Sequence, residues 1–306
     1  MHEPRSAIQY KREADSLTDS NETRIHPTAI LSDSVEIGRG VEIGPYAILD
    51  GRIRIGDGTK IHAHAQILNS TTLGARCEVH GYALVGGKPQ DRKFEGEDTE
   101  VVIGDDTIIR EGVTIHLGTG HGSRVTRVGS RVLVMANVHI AHDCQVADDV
   151  TMSNSTLLAG HVHVQAGATI SGATVIHQFT TIGRLAMIGG LARVSMDVPP
   201  FLIVEGRPGK VRGLNVVGLR RRGVSEESVE RLKETYRLLF LGKKTSAESY
   251  SLAVERAGGS AEVHELLEFL RRTDSNIKGR YLEALRKARE DQGDQPELDG
   301  GQAELG

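Results

Sequence analysis

The 306-residue chain sets 37 Lys and Arg against 41 Asp and Glu, a net charge of -4, which argues against a nucleic-acid binder relying on overall positive charge. Its 36 glycines, 4% aromatic content and lack of Trp do not suit a thick core packed on rings; they suit a thin core of small and aliphatic side chains with many turns. No apolar run is long enough for a membrane span, and Met1 to Arg24 has neither the apolar stretch of a signal peptide nor the basic bias of a transit peptide, so cytoplasmic residence is expected.

In chain order, residues 1–24 are polar and read as a disordered extension. From Ile25 a six-residue rhythm begins: Ile25, Leu31, Ile37, Ile43, Leu49, Ile55, Ile61, Ile67, Leu73, Val79 and Val85 are all aliphatic. It resumes at Ile103, Ile109 and Ile115, then runs from Val128 through Ile140, Val146, Leu158 and Ile176 to Val194. Two positions before each apolar residue of that last run stands a small one, such as Val138, Cys144, Val162, Ala168 or Thr174. No α-helix has this period, and an ordinary strand alternates every two residues. Three hexads make one triangular coil of a parallel β-helix, whose interior is buried only when coils stack. The rhythm predicts a β-helix over 25–210, with excursions near 86–100 and 117–127, where function is often carried. Cys77 and Cys144 fall on small inward positions and read as inert core; neither lies in a CxxC pair, which argues against a disulfide framework or a thiolate zinc site.

Val198-Pro199-Pro200 ends the rhythm, and residues 211–289 read as helical. Ser225 is placed to cap a helix opened by Glu226 and Glu227, with Val229, Leu232, Tyr236 and Leu239 on one face. Further helices are expected near 246–257, 260–272 and 277–289. The acidic stretch 290–306 reads as a disordered tail.

The candidate chemistry lies in the histidines. His116, His121, His139, His142, His161, His163 and His177 cluster in the β-helix. Residues 18 apart share a column, so His142, Gly160 and Gln178 form one column and Asp143 and His161 the next. One strand spacing, about 4.8 Å, then separates an imidazole, a glycine N–H and a carboxylate. That is a skeleton for acyl transfer: a base, a group that fixes its tautomer, and an oxyanion donor. A metal held by His139 and His142, or by His161 and His163, is the competing reading, and short His patterns are weakly specific. Gly118-Thr119-Gly120-His121-Gly122 lacks the Lys-Ser/Thr pair and helix start of a phosphate loop. Arg220-Arg221-Arg222 reads either as a phosphate contact or as a solvated charge run.

Asn137-Val138-His139-Ile140-Ala141-His142-Asp143-Cys144, with Leu158-Ala159-Gly160-His161-Val162 and His177-Gln178-Phe179, resembles the acyl-carrier-protein–UDP-N-acetylglucosamine O-acyltransferases. So do Gln90-Asp91-Arg92-Lys93, Ile109 to His116, Asp197-Val198-Pro199-Pro200, Gly213-Leu214-Asn215 and Gly218-Leu219-Arg220-Arg221-Arg222-Gly223. The resemblance covers about 25–285. It implies a left-handed β-helix with a small C-terminal helical domain, a homotrimer with sites between subunits, and the first step of lipid A synthesis: transfer of a 3-hydroxyacyl chain from acyl carrier protein to the 3-hydroxyl of UDP-N-acetylglucosamine. No cofactor and no metal are implied.

By motif match, the resemblance makes His142 the general base, Asp143 its orienting group and Gly160 the oxyanion donor. Asp91 and Lys93 would hold the sugar nucleotide, and His139, His161, His177 and Gln178 would line the groove. Asn215 and Arg221 would meet the acyl chain and the phosphates. Gly190 would leave room for a long acyl chain, and basic residues of the helical end would attract the carrier. Leu117 and Val217 depart from the pattern, at positions where members of the family carry Arg and Glu. The competing readings are another hexapeptide acyltransferase (with a 3-amino acceptor or a coenzyme A donor), a metal-dependent hydratase on a β-helix, and a non-catalytic scaffold.

Overall fold

The computed structural model describes residues 22–242, 245–274 and 279–291. Short strands form three faces of 11, 9 and 8 strands, called faces 1, 2 and 3. Successive strands pass from face 1 to 2 to 3, and every pairing between coils is parallel until the last hairpin. This is the β-helix expected from the hexads, followed by helices.

The hexad rule acts through burial. Val138 and Ile140, Val162 and Val164, and Ala168 and Ile170 point inward with at most 1% exposure. Ile140 pairs with Leu158, Leu158 with Ile176 and Ile176 with Val194, so each large aliphatic sits on the one below it. The resulting core runs from Val41 to Val204 without one aromatic ring. Phe201 is the large ring that is fully buried, and it lies in a second cluster with Leu219, Val229, Leu232 and Leu266, where the helices meet the end of the β-helix.

The two excursions occupy residues 88–99 and 117–124, narrower than the sequence suggests, because Leu84–Gly87, Glu100–Ile103 and Val125–Val128 remain in strands. Across them the partners become Val85 with Ile115 and Ile115 with Ile140, so the stack itself is unbroken. Both excursions leave face 2 and re-enter face 3. Residues 141–144, 159–162, 177–180 and 195–197 turn the same corner in later coils.

The β-helix ends differently from the expected boundary at 210. Leu202–Glu205 turns back as an antiparallel hairpin with Lys210–Leu214, and the first helix, α1 (Val216–Arg221), begins only after Asn215 caps it. The hairpin shields the last coil, whose edge would otherwise be open. Helix α2 (Glu226–Tyr236) is capped by Ser225, whose side chain accepts from Ser228 N–H, and runs into a π-turn at Arg237–Leu241. Then come α3 (Ser246–Arg256), opened by a Thr245–Glu248 capping box, α4 (Ala261–Asp274) and α5 (Tyr281–Asp291). Helix α5 returns to the β-helix: Tyr281 N–H donates to Asp197 at 2.8 Å, and Arg280 donates to Ser195 O at 2.8 Å. Burial pushes the Asp197 carboxyl up to about 6, against the pull of the Tyr281 and Thr181 N–H groups and Arg280.

The expected disordered N-terminal extension lies outside the described residues as far as residue 21; Arg24 already opens the first strand. The expected acidic tail from 290 begins inside α5, and residues 292–306 lie outside the described residues. No helix among the described residues is long and apolar enough to cross a membrane.

Both cysteines face the core, at 1% and 0% exposure, and burial pushes the Cys144 thiol up to about 12. A thiol-reactive probe at pH 8 should label neither in the native protein and both after denaturation, because thiolate and access are both needed. Rapid labelling of the native chain would contradict this packing.

Candidate active site

The corner between faces 2 and 3 gathers the candidate residues. Strand His139–Ile140 delivers His142 to the turn, where Asp143 takes a left-handed conformation with φ 59. His161 and Phe179 occupy the same corner in the next two coils, each with φ 60. His161 N–H donates to His142 O at 3.0 Å and Phe179 N–H to Gly160 O at 3.2 Å, so these corners stack in register.

His142 Nδ1 lies 2.8 Å from Asp143 Oδ2. Its Nε2 has no hydrogen-bond partner among the described residues and faces Gly160: a Cβ built there would stand 2.6 Å from it. Glycine is therefore what lets the imidazole lie across the next coil. The Gly160 N–H donates to no acceptor among the described residues. A base nitrogen and a free amide thus open toward the same space.

Asp143 is buried and heavily held. It accepts from Thr119 N–H at 3.1 Å, Thr119 Oγ1 at 2.6 Å and Ser123 Oγ at 3.2 Å, while its own N–H donates to Thr126 Oγ1 at 2.8 Å. Burial opposes its ionised form, but His142, Thr119 and nearby His161 outweigh burial and hold the carboxyl below its ordinary value. An ionised, immobile Asp143 keeps a proton on His142 Nδ1 and leaves Nε2 as the basic nitrogen. Thr119 and Ser123 were missed by sequence reasoning. The signal was the Gly-rich run around Thr119: a Cβ at Gly122 would collide with the Asp143 carboxylate, so this loop folds onto Asp143 rather than around a phosphate.

The other histidines build the wall. His161 meets the His142 ring edge-on at 5.0 Å and stacks on Phe179 at 4.4 Å, with the Arg286 guanidinium of α5 over the Phe179 ring at 5.2 Å. His139 points outward from face 2, its Nδ1 2.8 Å from Thr114 Oγ1, and meets His116 edge-on at 4.9 Å. Burial presses His116, His161 and His163 down to about 4, and lowers His139. His177 and exposed Gln178 follow in the next coil, with His177 Nδ1 2.9 Å from Gln178 O.

Asp91 enters from the first excursion. It accepts from Lys93 N–H at 3.0 Å and lies 3.0 Å from His121 Nε2, which ties the two excursions together. The Lys93 amide, and then the His121 hydrogen bond, hold Asp91 below the usual carboxylate range against its partial burial. The exposed Lys93 ammonium makes no ion pair among the described residues.

Three expected site residues are not brought to His142 within one chain. Asn215 is buried as the cap of α1, accepting from Gly218 N–H at 3.0 Å and donating to Leu185 O at 2.9 Å. Arg221 is exposed on α1, beside Arg220, which pairs with Glu226, and Arg222, which pairs with Asp149. Gly190 lies on the corner between faces 1 and 2, where a Cβ would meet its nearest atom at 3.5 Å, so the space beyond it is open.

Three ligand atoms of His142, Asp143 and His161 lie within 4.8 Å of one another. Asp143 is already spent on Thr119 and Ser123, however, and His142 meets it at hydrogen-bond distance. The donor set fits an acid–base pair better than a metal centre.

A family profile described as "UDP N-acetylglucosamine O-acyltransferase, domain 2" matches residues 197–279. An acyl-[acyl-carrier-protein]–UDP-N-acetylglucosamine O-acyltransferase of Burkholderia lata is 48% identical over 252 residues, spanning 81% of this chain and 96% of that protein. A Synechocystis protein of the same description is 48% identical over 179 residues, 58% of this chain and 63% of its own length. Among solved structures, the UDP-N-acetylglucosamine acyltransferase of Francisella novicida superposes with a TM-score of 0.78 at 33% identity, covering 83% of this chain and 92% of its own. LpxA from Acinetobacter baumannii gives a TM-score of 0.78 at 37% identity, covering 83% and 98%.

The buried imidazoles carry a pH signature. In the unfolded chain they bind protons below about 6.5, whereas folded His116, His161 and His163 stay neutral until about 4. Their contribution to stability is complete above pH 6.5 and is lost as pH falls toward 4, because the unfolded state then binds more protons. The melting temperature should drop between pH 7 and pH 5, and His163→Gln should lessen the drop by roughly 1–3 kcal/mol equivalent. An equal drop in both proteins would contradict the assignment.

Proposed function

The chain belongs to the acyl-[acyl-carrier-protein]–UDP-N-acetylglucosamine O-acyltransferase family and is an acyltransferase, and we propose that His142 is the base that drives the transfer. The observation that carries this reading is the free Nε2 of an Asp143-anchored imidazole lying over the unpaired Gly160 amide.

The reaction is transfer of a 3-hydroxyacyl chain from acyl carrier protein to the 3-hydroxyl of UDP-N-acetylglucosamine, in the first step of lipid A synthesis. His142 Nε2 takes the hydroxyl proton as the oxygen attacks the thioester carbonyl. Asp143 stabilises the imidazolium so formed. The carbonyl oxygen, now negative, accepts the Gly160 N–H. As the tetrahedral adduct collapses, the C–S bond breaks and the proton on Nε2 passes to the departing carrier thiolate. A positioned base contributes on the order of 10²–10⁴ in rate.

Asp91, held by Lys93 N–H and His121, accepts from hydroxyls of the sugar nucleotide, and the Lys93 ammonium meets its phosphates. His139, His161, His177 and Gln178 line the groove. The imidazole of His161, neutral until about 4, does not compete with His142 for the negative charge of Asp143.

Asn215, Arg221 and Gly190 belong to other corners or the helical end of this chain. A homotrimer with sites between subunits accounts for that separation, because a second copy can bring these residues to the His142 corner of the first. Arg221 then contacts phosphate, Asn215 the acyl chain, and the open space at Gly190 receives the end of a long chain. Basic residues of the helical end attract the acidic carrier, and the enzyme acts in the cytoplasm.

Mass spectrometry tests this reading: UDP-N-acetylglucosamine is incubated with a panel of 3-hydroxyacyl-carrier proteins, wild type beside His142→Ala. The account expects an acylated nucleotide from wild type, its mass giving the chain length, and a rate lower by about 10²–10⁴ in the variant. Product from neither, with turnover of a 3-amino acceptor or a coenzyme A donor instead, would move the assignment to another hexapeptide transferase. Equal rates would remove His142 from the mechanism.

A further inference from the structure

A second histidine cluster lies on another corner of the β-helix, between faces 1 and 2, and the acyl transfer does not use it. His62 and His80 are 18 residues apart and leave face 1 at the same place in successive coils, so their rings stack at 4.6 Å and 17°. Glu78, two residues before His80, points outward from strand Glu78–Val79 into the same space. Its Oε1 lies 2.9 Å from His62 Nε2 and 3.4 Å from His80 Nε2. All three ligand atoms fall within 4.8 Å of one another.

Those spacings match a specific geometry. Nitrogen and oxygen donors bind zinc at about 2.0–2.2 Å, which puts neighbouring donors of a tetrahedral ion about 3.3–3.5 Å apart. The 3.4 Å separation falls within that range and the 2.9 Å one lies about 0.4 Å below it, a gap that a small side-chain adjustment closes. The back of His80 is also arranged. Its Nδ1 lies 3.5 Å from Glu111 Oε1, and Glu111 is held by Arg110 through Nε at 3.1 Å and Nη2 at 3.0 Å. A carboxylate behind a histidine fixes the tautomer that offers the other nitrogen to a metal. Lys60, the rung neighbour of Glu78, pairs with Glu42 at 3.7 Å.

We propose that His62, Glu78 and His80 form a binding site for a divalent transition-metal ion, Zn²⁺ being the best match to two imidazoles and one carboxylate. The side chains are 43%, 37% and 21% exposed, so water completes the coordination. The ion clips one coil to the next, beside the stack of Tyr46, His64 and Tyr82 that crosses the same coils. The site shares its corner with Gly190 but lies five coils from it along the stack, so it is separate from the residues used in the acyl-transfer reading.

The test is equilibrium dialysis of the full-length, EDTA-treated protein against Zn²⁺ alone, with bound metal measured by atomic emission. Wild type is compared with Glu78→Gln and with His62→Ala/His80→Ala, and circular dichroism and acyl transfer are followed in each. The expected result is one zinc per chain in wild type, bound roughly tenfold or more weakly in both variants, with fold and activity unchanged. Zinc uptake undiminished in the variants would place the ion elsewhere, such as at His142, Asp143 and His161, and overturn the proposal. No uptake by wild type would show an ordinary exposed ion pair and overturn it equally.

Discussion

Backbone hydrogen bonds between successive coils set every spacing at the candidate site. His161 N–H donates to His142 O, Phe179 N–H to Gly160 O, and the flanking aliphatics pair Ile140 with Leu158 and Leu158 with Ile176. These bonds hold the coils one strand spacing apart, and the buried column of aliphatics prevents slippage. A side chain at a corner therefore has one environment: its own turn and the turn of the next coil. His142 meets Asp143 in the first and Gly160 in the second. The arrangement of His142, Asp143 and Gly160 follows from a repeat that exists to bury Ile, Val and Leu.

What the repeat cannot supply comes from the two excursions. They leave the stack at the corner just before His142, in consecutive coils. One brings Asp91 and Lys93; the other brings Thr119 and Ser123 onto Asp143, and His121 onto Asp91. A buried carboxylate with so many donors stays ionised despite its desolvation, which is costly for a charge left unpaired. The rigid wall sets the distance between the His142 imidazole and the Gly160 amide, and the loops set the charge state of Asp143 behind the imidazole.

This division explains what could be read from the chain. The hexads state the fold directly, since period six with paired large and small apolar positions has no helical or simple-strand equivalent. The same arithmetic put His142 over Gly160 and Asp143 beside His161, because residues 18 apart share a column. Thr119 and Ser123 escaped because a loop of Gly-Thr-Gly-His-Gly has no period, and its path depends on the carboxylate it wraps. The hairpin after Leu202 also escaped: its strands read as the end of a rhythm followed by helix, and only the need to cover the last coil makes them antiparallel. Asn215 was legible as part of a motif but not as a cap with both polar ends engaged inside its own chain.

The central claim is that one-strand stacking of His142 over a glycine makes the proton-transfer centre. The most direct measurement is the single-turnover rate of acyl transfer by Gly160→Ala, with Gly259→Ala, in the exposed turn between α3 and α4, as control. A Cβ at Gly160 would stand 2.5 Å from His142 Cε1, while at Gly259 no atom lies within 4 Å. The account predicts a loss of about 10² or more for Gly160→Ala, the scale of removing an oxyanion donor or displacing a base, and near wild-type rates for the control. A Gly160→Ala enzyme that folds normally and turns over at the wild-type rate would contradict it.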